Sequence, residues 1–452
     1  MNILEIEEDN HSSKETDQKK KLSLGEVKTD FKIINDYFLD DMPDYIFENV
    51  DYKWLDPGAG TGNFSICVFK KLMISLQTKI TDFEKRKNHI IEHMLYMVEF
   101  DSNNIEILKN IFGEKANIYC QDFLDFNDMK FDVIIGNPPY NNNGIKKVPT
   151  NTYNNKLNDG NTIWTSFVRQ AIHILKDNGY LTMIVPAIWL KPDKAKIYHL
   201  LTSYQILKLR CFNNTTTNKM FHGHAQTPTS IFHLVKKNTN NIIKIYDNNH
   251  YCDYFLKQDI PIPLMGVSVI NKLQKYVNDV GSLEVHKSNL PSKHIEIFEK
   301  KKHDSNYKNI TTCILNKKIP DMVFNYSFVP CPFYKKPKLV LAHGMYGFPF
   351  LDHHGMYGIS NRDKYVIMDK PIDDLKRLRS FLSTNLALYL FETTKYRMKY
   401  LEKYIFELIP DITKIKDFPF NIDDQTIAEF FQFSKDEIHN IENLHKNKYS
   451  II

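Results

Sequence analysis

Gly58, Gly60 and Gly62 fall within five positions, between a short apolar run ending at Asp56 and a helical pattern beginning at Phe64. The chain holds only 16 glycines in 452 residues. A cluster in so sparing a sequence marks a turn that needs positive φ or close backbone approach. A strand that feeds a glycine turn and then a helix opens a βαβ unit, so a parallel sheet is expected. The same rhythm continues. Strands are predicted in MLYMVEF (94–100), NIYCQDF (117–123), FDVIIGNPPY (131–140, stopped by its two prolines), YLTMIV (180–185) and TSIFHLV (229–235), and a helix over 163–176. The expectation is a Rossmann-like α/β domain over 25–238.

A chain of this length suits two domains. Residues 1–24 are polar, carry Lys19, Lys20 and Lys21, and read as a flexible tail. The polar break KKNTNN (236–241) ends the βαβ pattern, so a second domain, mixed α+β, is expected over 242–452. Net charge is −8 for 1–150, +17 for 151–400 and −4 for 401–452. Four of the seven arginines, Arg362, Arg377, Arg379 and Arg397, fall within 36 residues. A basic body of this kind suits a polyanion. The longest apolar run, Gly179–Leu190, falls short of the roughly 20 residues a membrane helix needs. Six cysteines without a CxxC pair argue for a reducing intracellular compartment, such as the cytoplasm.

The loop DPGAGTGNF (56–64) reads as a binding loop in which glycines bring backbone N–H groups to a ligand. Asp56 would repel a pyrophosphate. It suits a cationic or amino-bearing ligand, and S-adenosylmethionine has both a sulfonium and an α-amino group. Glu99, at the end of the next strand, is placed to accept hydrogen bonds from ribose hydroxyls, with Asp101 as its competitor. GNPPY (136–140) follows a buried strand, and its prolines fix an extended backbone. Asn137's amide oxygen and the Pro138 carbonyl can then accept both hydrogens of one planar NH₂ group, with the Tyr140 ring stacked on the plane. His222, His224, His353 and His354 lack a third ligand at metal spacing, so loop or DNA-facing histidines are expected and no metal.

Together these segments resemble the gamma-type adenine-N6 DNA methyltransferases, over residues 25–238 in order and more weakly beyond. GEVKTD (25–30) resembles the cofactor-closing motif, with Asp30 in place of the usual proline, and the resemblance assigns Thr29 to the methionine moiety. DPGAGTGNF matches the cofactor loop, and VEFD (98–101) the ribose motif with Glu99 and its neighbour Phe100. QDF (121–123) places Asp122 and Phe123 at the cofactor adenine, and IWTSFVRQA (163–171) places Phe167 against it. MFHGHAQTPTSIFHLV (220–235) makes Phe221 the aromatic opposite Tyr140. The implied fold is a seven-stranded, mostly parallel methyltransferase sheet with a C-terminal target-recognition domain.

The resemblance implies transfer of a methyl group from S-adenosyl-L-methionine to adenine N6 in double-stranded DNA, the base flipped out of the stack. Lys335, Lys336 and Lys338 are candidates for phosphate contact, and Tyr346 and Arg362 for base reading. A separate restriction endonuclease is a candidate partner. An RNA adenine-N6 methyltransferase, a protein glutamine-N5 methyltransferase and a non-enzymatic DNA-binding subunit of a modification complex are the alternatives.

Overall fold

The computed structural model describes residues 3–6, 27–127, 129–141, 162–223, 225, 227–289, 291, 293–316, 319–342, 349–362, 364–397 and 401–444. The chain divides into two compact units: Met1–Asp259 with Tyr396–Met398, and Ile260–Lys395 with Lys399–Ile452.

The first unit is built on one sheet. Its strands are β1 (Trp54–Asp56), β2 (Leu95–Glu99), β3 (Asn117–Cys120), β4 (Phe131–Gly136), β5 (Leu175–Pro186), β6 (Tyr204–Phe212), β7 (Thr229–Asn238), β8 (Ile242–Asp247) and β9 (His250–Phe255). Their order is β3-β2-β1-β4-β5-β7-β6-β8-β9. Strands β1 to β5 run parallel, with Trp54 opposite Leu95 and Val133, while β7 is antiparallel to both β5 and β6. The seven strands from β3 to β6 form the mostly parallel sheet expected from the sequence.

Both faces of the sheet are covered, so its central strands read as unbroken apolar runs rather than alternations. Leu95, Tyr96, Met97 and Val98 are all buried. Helix α1 (Phe31–Ile34) runs on as a π-turn to Leu39, and α2 (Asn63–Ser75), α3 (Phe83–His89) and α4 (Ser102–Phe112) precede α5 (Trp164–Ile174). Trp164, Phe167, Val168, Ala171 and Ile172 recur at helical spacing, and α5 buries them. The strand order reverses at β1, which opens a crevice beyond the carboxyl ends of β1, β2 and β4.

Two expectations need correction. The break at 236–241 is not a domain boundary: β8 continues the sheet, parallel to β6, and β9 pairs with β8. A polar turn joins strands as readily as it joins domains, and the alternation in IIKIYD fits a sheet margin. The flexible tail also begins with an ordered turn. Ile3 is 2% exposed in the main core, and Lys70 donates to the Ile6 carbonyl at 2.6 Å. Most of the remaining tail lies outside the described residues.

The second unit is mixed α+β, as expected. One four-stranded sheet has the order β10-β17-β14-β15, from β10 (His286–Lys287), β14 (Lys338–Ala342), β15 (Phe350–Asp352) and β17 (Lys364–Met368). The other has the order β11-β13-β12-β16, from β11 (Ile297–Phe298), β12 (Tyr307–Asn316), β13 (Ile319–Ser327) and β16 (Tyr357–Ile359). Helices span Val267–Val280, Ile372–Phe381, Asn385–Thr393, Asp424–Phe430 and Lys435–Asn443. Among the described residues no helix is long and apolar enough to cross a membrane.

Candidate active site

The glycine loop folds back over β2. Ala59 N donates to the Val98 carbonyl at 3.0 Å, and Gly60 N to Glu99 Oε2 at 2.7 Å. Gly60 and Gly62 take φ of +53° and +93°, which L side chains rarely adopt. At Gly62 an added Cβ would also stand 2.8 Å from Leu108. A Cβ on Gly58 would meet nothing within 4 Å, so the loop is open on that side.

Asp56 ends β1 and is 3% exposed. Ser65 donates to its Oδ2 at 3.2 Å, and its buried Oδ1 has no partner. Burial pushes its pKa up to about 7, offset in part by the Ser65 hydrogen bond and aided by the nearby charge of Glu99. A buried carboxylate without a counter-ion is a place for a cation. Glu99 is half-buried, and its other oxygen accepts from Asp101 N at 2.8 Å. Asp101 itself caps α4, accepting from Asn103 N at 3.0 Å. The two acids thus separate: Glu99 faces the glycine loop and Asp101 serves a helix. Beside them the Phe100 ring is 67% exposed.

Asp122 caps the short turn Phe123–Asp125 through Leu124 N at 2.9 Å. Phe123 and Phe167 are buried, with ring centroids 5.1 Å apart. The tertiary fold has therefore brought together two aromatics that lie 44 positions apart in sequence.

The NPPY turn leaves the end of β4 against the glycine loop. Gly136 allows this approach: a Cβ there would sit 3.1 Å from Pro57 Cδ and 3.4 Å from Asp56 Oδ1. Asn137 Nδ2 donates to Thr29 Oγ1 at 3.1 Å and to the Val27 carbonyl at 3.2 Å. Because a carbonyl only accepts, these partners fix which end of the amide is NH₂. The buried Asn137 Oδ1 is then left without a partner. Thr29 is a node, since its carbonyl also accepts from Asn63 Nδ2 at 2.8 Å. Tyr140 places its hydroxyl 3.5 Å from the Ile184 carbonyl, and burial raises its pKa, so the phenol stays neutral. Asn63 and Ser65 escaped the sequence reading because polar residues at a helix start look like ordinary caps.

Two expected contacts, Phe221 and Lys338, do not fit the structure as read from the sequence. Phe221 is 1% exposed and packs in the main core, because the turn after Asn214–Met220 rolls its ring inward. Lys338 is fully buried. Its ammonium lies 2.6 Å from Asp352 on the paired strand β15 and donates to the Tyr357 carbonyl at 2.6 Å, so no phosphate can reach it. Lys336 is exposed but paired with Asp369 at 3.4 Å, while Lys335 and Arg362 are exposed. Tyr346 lies outside the described residues. Among the described residues no three His, Cys, Asp or Glu side chains are grouped to hold a metal.

Over 168 residues the chain is 32% identical to the type II methyltransferase M.AccI of Acinetobacter calcoaceticus, covering 34% of this chain and 27% of that one. It is 27% identical over 228 residues to the modification methylase CviBIII of Paramecium bursaria Chlorella virus NC1A, covering 48% of this chain and 50% of the other. The chain thus spans about a quarter to a half of the length of these relatives. Among solved structures, the type IIL restriction-modification enzyme MmeI in complex with DNA is 13% identical, with a TM-score of 0.46 over 86% of this chain and 68% of that one. The family model described as Eco57I restriction-modification methylase matches residues 62–221. The matched segment, about a third of the chain, holds Glu99, the NPPY turn and Phe167.

Proposed function

We propose that the chain transfers a methyl group from S-adenosyl-L-methionine to the N6 amino group of adenine in DNA. The observation that carries this reading is Asn137: its NH₂ is tied to Val27 and Thr29, and its buried oxygen is left without a partner. An amide held this way is prepared to accept a hydrogen from an incoming amino group.

The residues present fit the cofactor. The unpartnered Asp56 Oδ1 accepts its α-amino group, Glu99 its ribose hydroxyls, and the Phe123–Phe167 pair and exposed Phe100 line its adenine. Glu99 already accepts two backbone N–H bonds and keeps lone pairs for the ribose. When bound, S-adenosyl-L-methionine supplies an electrophilic methyl group.

The chain's own residues then prepare the acceptor. Asn137 Oδ1 and the Pro138 carbonyl accept the two amino hydrogens, turning the nitrogen lone pair out of conjugation with the ring. As that nitrogen gains positive charge in the transition state, both acceptors bind its hydrogens more strongly, which favours the transition state over the ground state. Tyr140, neutral and half-buried, supports the plane of the base.

DNA is favoured as acceptor by the relatives' methyltransferase and modification roles and by the +17 charge over 151–400. RNA is the second reading, because 84 residues are 27% identical to a tRNA1(Val) adenine-37-N6 methyltransferase of Bacteroides fragilis. A separate restriction endonuclease is proposed as partner to the methylation.

The test incubates the protein and Asn137→Ala with labelled cofactor and separate DNA, RNA and protein acceptors, then maps the methylated base. Label on adenine in DNA is expected. Asn137→Ala should lower the rate by roughly 10²–10³-fold, by analogy with other positioned hydrogen bonds, and leave cofactor affinity within a few-fold. Label on RNA or glutamine alone, or full turnover by the variant, would overturn the reading.

A further inference from the structure

We infer that Asn63 is a positioning residue for methyl transfer: through Thr29 it fixes the amide of Asn137 and ties the acceptor site to the glycine loop. This rests on the methyltransferase reading above and adds a residue that acts through another.

Residues 27–30 form neither strand nor helix, and among the described residues no backbone ladder holds them. Two side-chain amides hold them instead. Asn63 Nδ2 donates to the Thr29 carbonyl at 2.8 Å. Asn137 Nδ2 donates to Thr29 Oγ1 at 3.1 Å and to the Val27 carbonyl at 3.2 Å. Thr29 and Asn63 are 3% and 9% exposed, so water competes little for these bonds. Thr29 is β-branched and stiff about χ1, so fixing its backbone fixes where its hydroxyl stands. Release of the Thr29 carbonyl frees that peptide to rotate, and Oγ1 drifts from the amide it anchors. Asn137 then aims its oxygen less accurately at the acceptor's amino hydrogens.

The other end of the link is rigid. Asn63 opens α2 directly after Gly62, which stands at φ +93°. Gly62 N donates to the Ala59 carbonyl at 2.8 Å, and Ile66 N to the Gly62 carbonyl at 2.8 Å. Ala59 N and Gly60 N are bonded in turn to the end of β2. An asparagine at a helix start ordinarily turns back to cap its own first turn. Asn63 instead reaches a residue 34 positions earlier. Its amide therefore serves the contact with Thr29 rather than the helix, and it carries the fixed position of the glycine loop across to Asn137.

The test uses the full chain with Asn63→Ala and with Asn63→Leu, which keeps the size of the side chain but not its donor. In both, kcat should fall roughly 10–100-fold, because a small misplacement near the reacting atoms costs turnover. KM for cofactor and for duplex should stay within about threefold of native. Melting temperature, and cofactor affinity read by calorimetry without duplex, should also stay close to native, which separates positioning from misfolding. Asn137→Ala already lacks the oriented amide, so adding Asn63→Ala to it should lower kcat by almost nothing further. A native kcat in both variants, losses that multiply in the double variant, or a rise in KM alone would overturn the proposal. Failure of the native protein to methylate adenine in DNA would instead sink the methyltransferase reading, and is seen before any variant is made.

Discussion

Asp56 shows how one side chain can oppose folding and still be kept. Its carboxyl is buried with one unpartnered oxygen, and its pKa is pushed up to about 7 from 3.8. A group whose folded pKa is raised stabilises most when protonated, below its unfolded value, and that contribution is lost as pH rises toward 7. Asp56→Asn should therefore melt higher than the native chain in the ligand-free state. The gap should widen from pH 4 to pH 8 and reach roughly 5 °C or more. Cofactor binding should show the opposite. The ionised carboxylate is the form that accepts a cation, so the native dissociation constant should rise as pH falls below about 7, by up to tenfold per unit. In Asp56→Asn the affinity should be at least tenfold weaker at pH 8 and nearly flat with pH. Thermal scans and calorimetry across pH check both; a native affinity that is flat through pH 7 would show that Asp56 does not meet the cation.

At the scale of elements, β8 and β9 explain why the sheet does not stop at seven strands. Asp41, just past α1 and its π-turn, is 6% exposed and accepts from Arg210, Lys208 and the Tyr251 hydroxyl. Arg210 lies 3.7 Å from the centre of the Tyr246 ring. The cations come from β6 and the tyrosines from β8 and β9, so the added hairpin supports the segment that begins with Thr29. Breaking a buried charge cluster leaves its remaining ions uncompensated. Tyr251→Phe, which deletes one hydroxyl, should lower stability by about 1–2 kcal/mol. A chain cut after Asn238 should unfold well below one cut after Asp259, because it lacks both tyrosines and exposes β6. Equal melting of the two would remove this role from the hairpin.

The whole molecule divides its charge unevenly, with the positive excess over 151–400 and the glycine loop and NPPY turn before it. If exposed lysines of the second unit meet phosphate, Lys335→Ala with Lys336→Ala should weaken duplex binding alike for target and scrambled sequences. For every phosphate that is no longer neutralised, the log–log salt slope should flatten by about 0.9. Lys338 should behave differently. Its buried pair with Asp352 makes Lys338→Ala a folding lesion, whereas replacing both partners, Lys338→Met with Asp352→Asn, leaves no uncompensated buried charge and should fold and keep the native salt slope. Fluorescence binding across a salt series separates the cases; an unchanged slope in the double variant would remove Lys335 and Lys336 from the interface.

The sequence alone determined the βαβ order, the two motif-bearing turns and the acids that end β1 and β2. Each of these is local: glycine, proline and period-two or helical patterning act within about ten residues. It could not determine which way Phe221 and His222 face, because both are ring residues at one helix end and only packing selects the one that is buried. Lys338 and Lys335 look alike in sequence; the strand carrying Asp352 is what encloses one and leaves the other in water. The bonds from Asn137 to Thr29 and Val27 join residues more than 100 positions apart. That closure, and the unpartnered oxygen it leaves, exist only once the amino-terminal segment has folded over the end of β4.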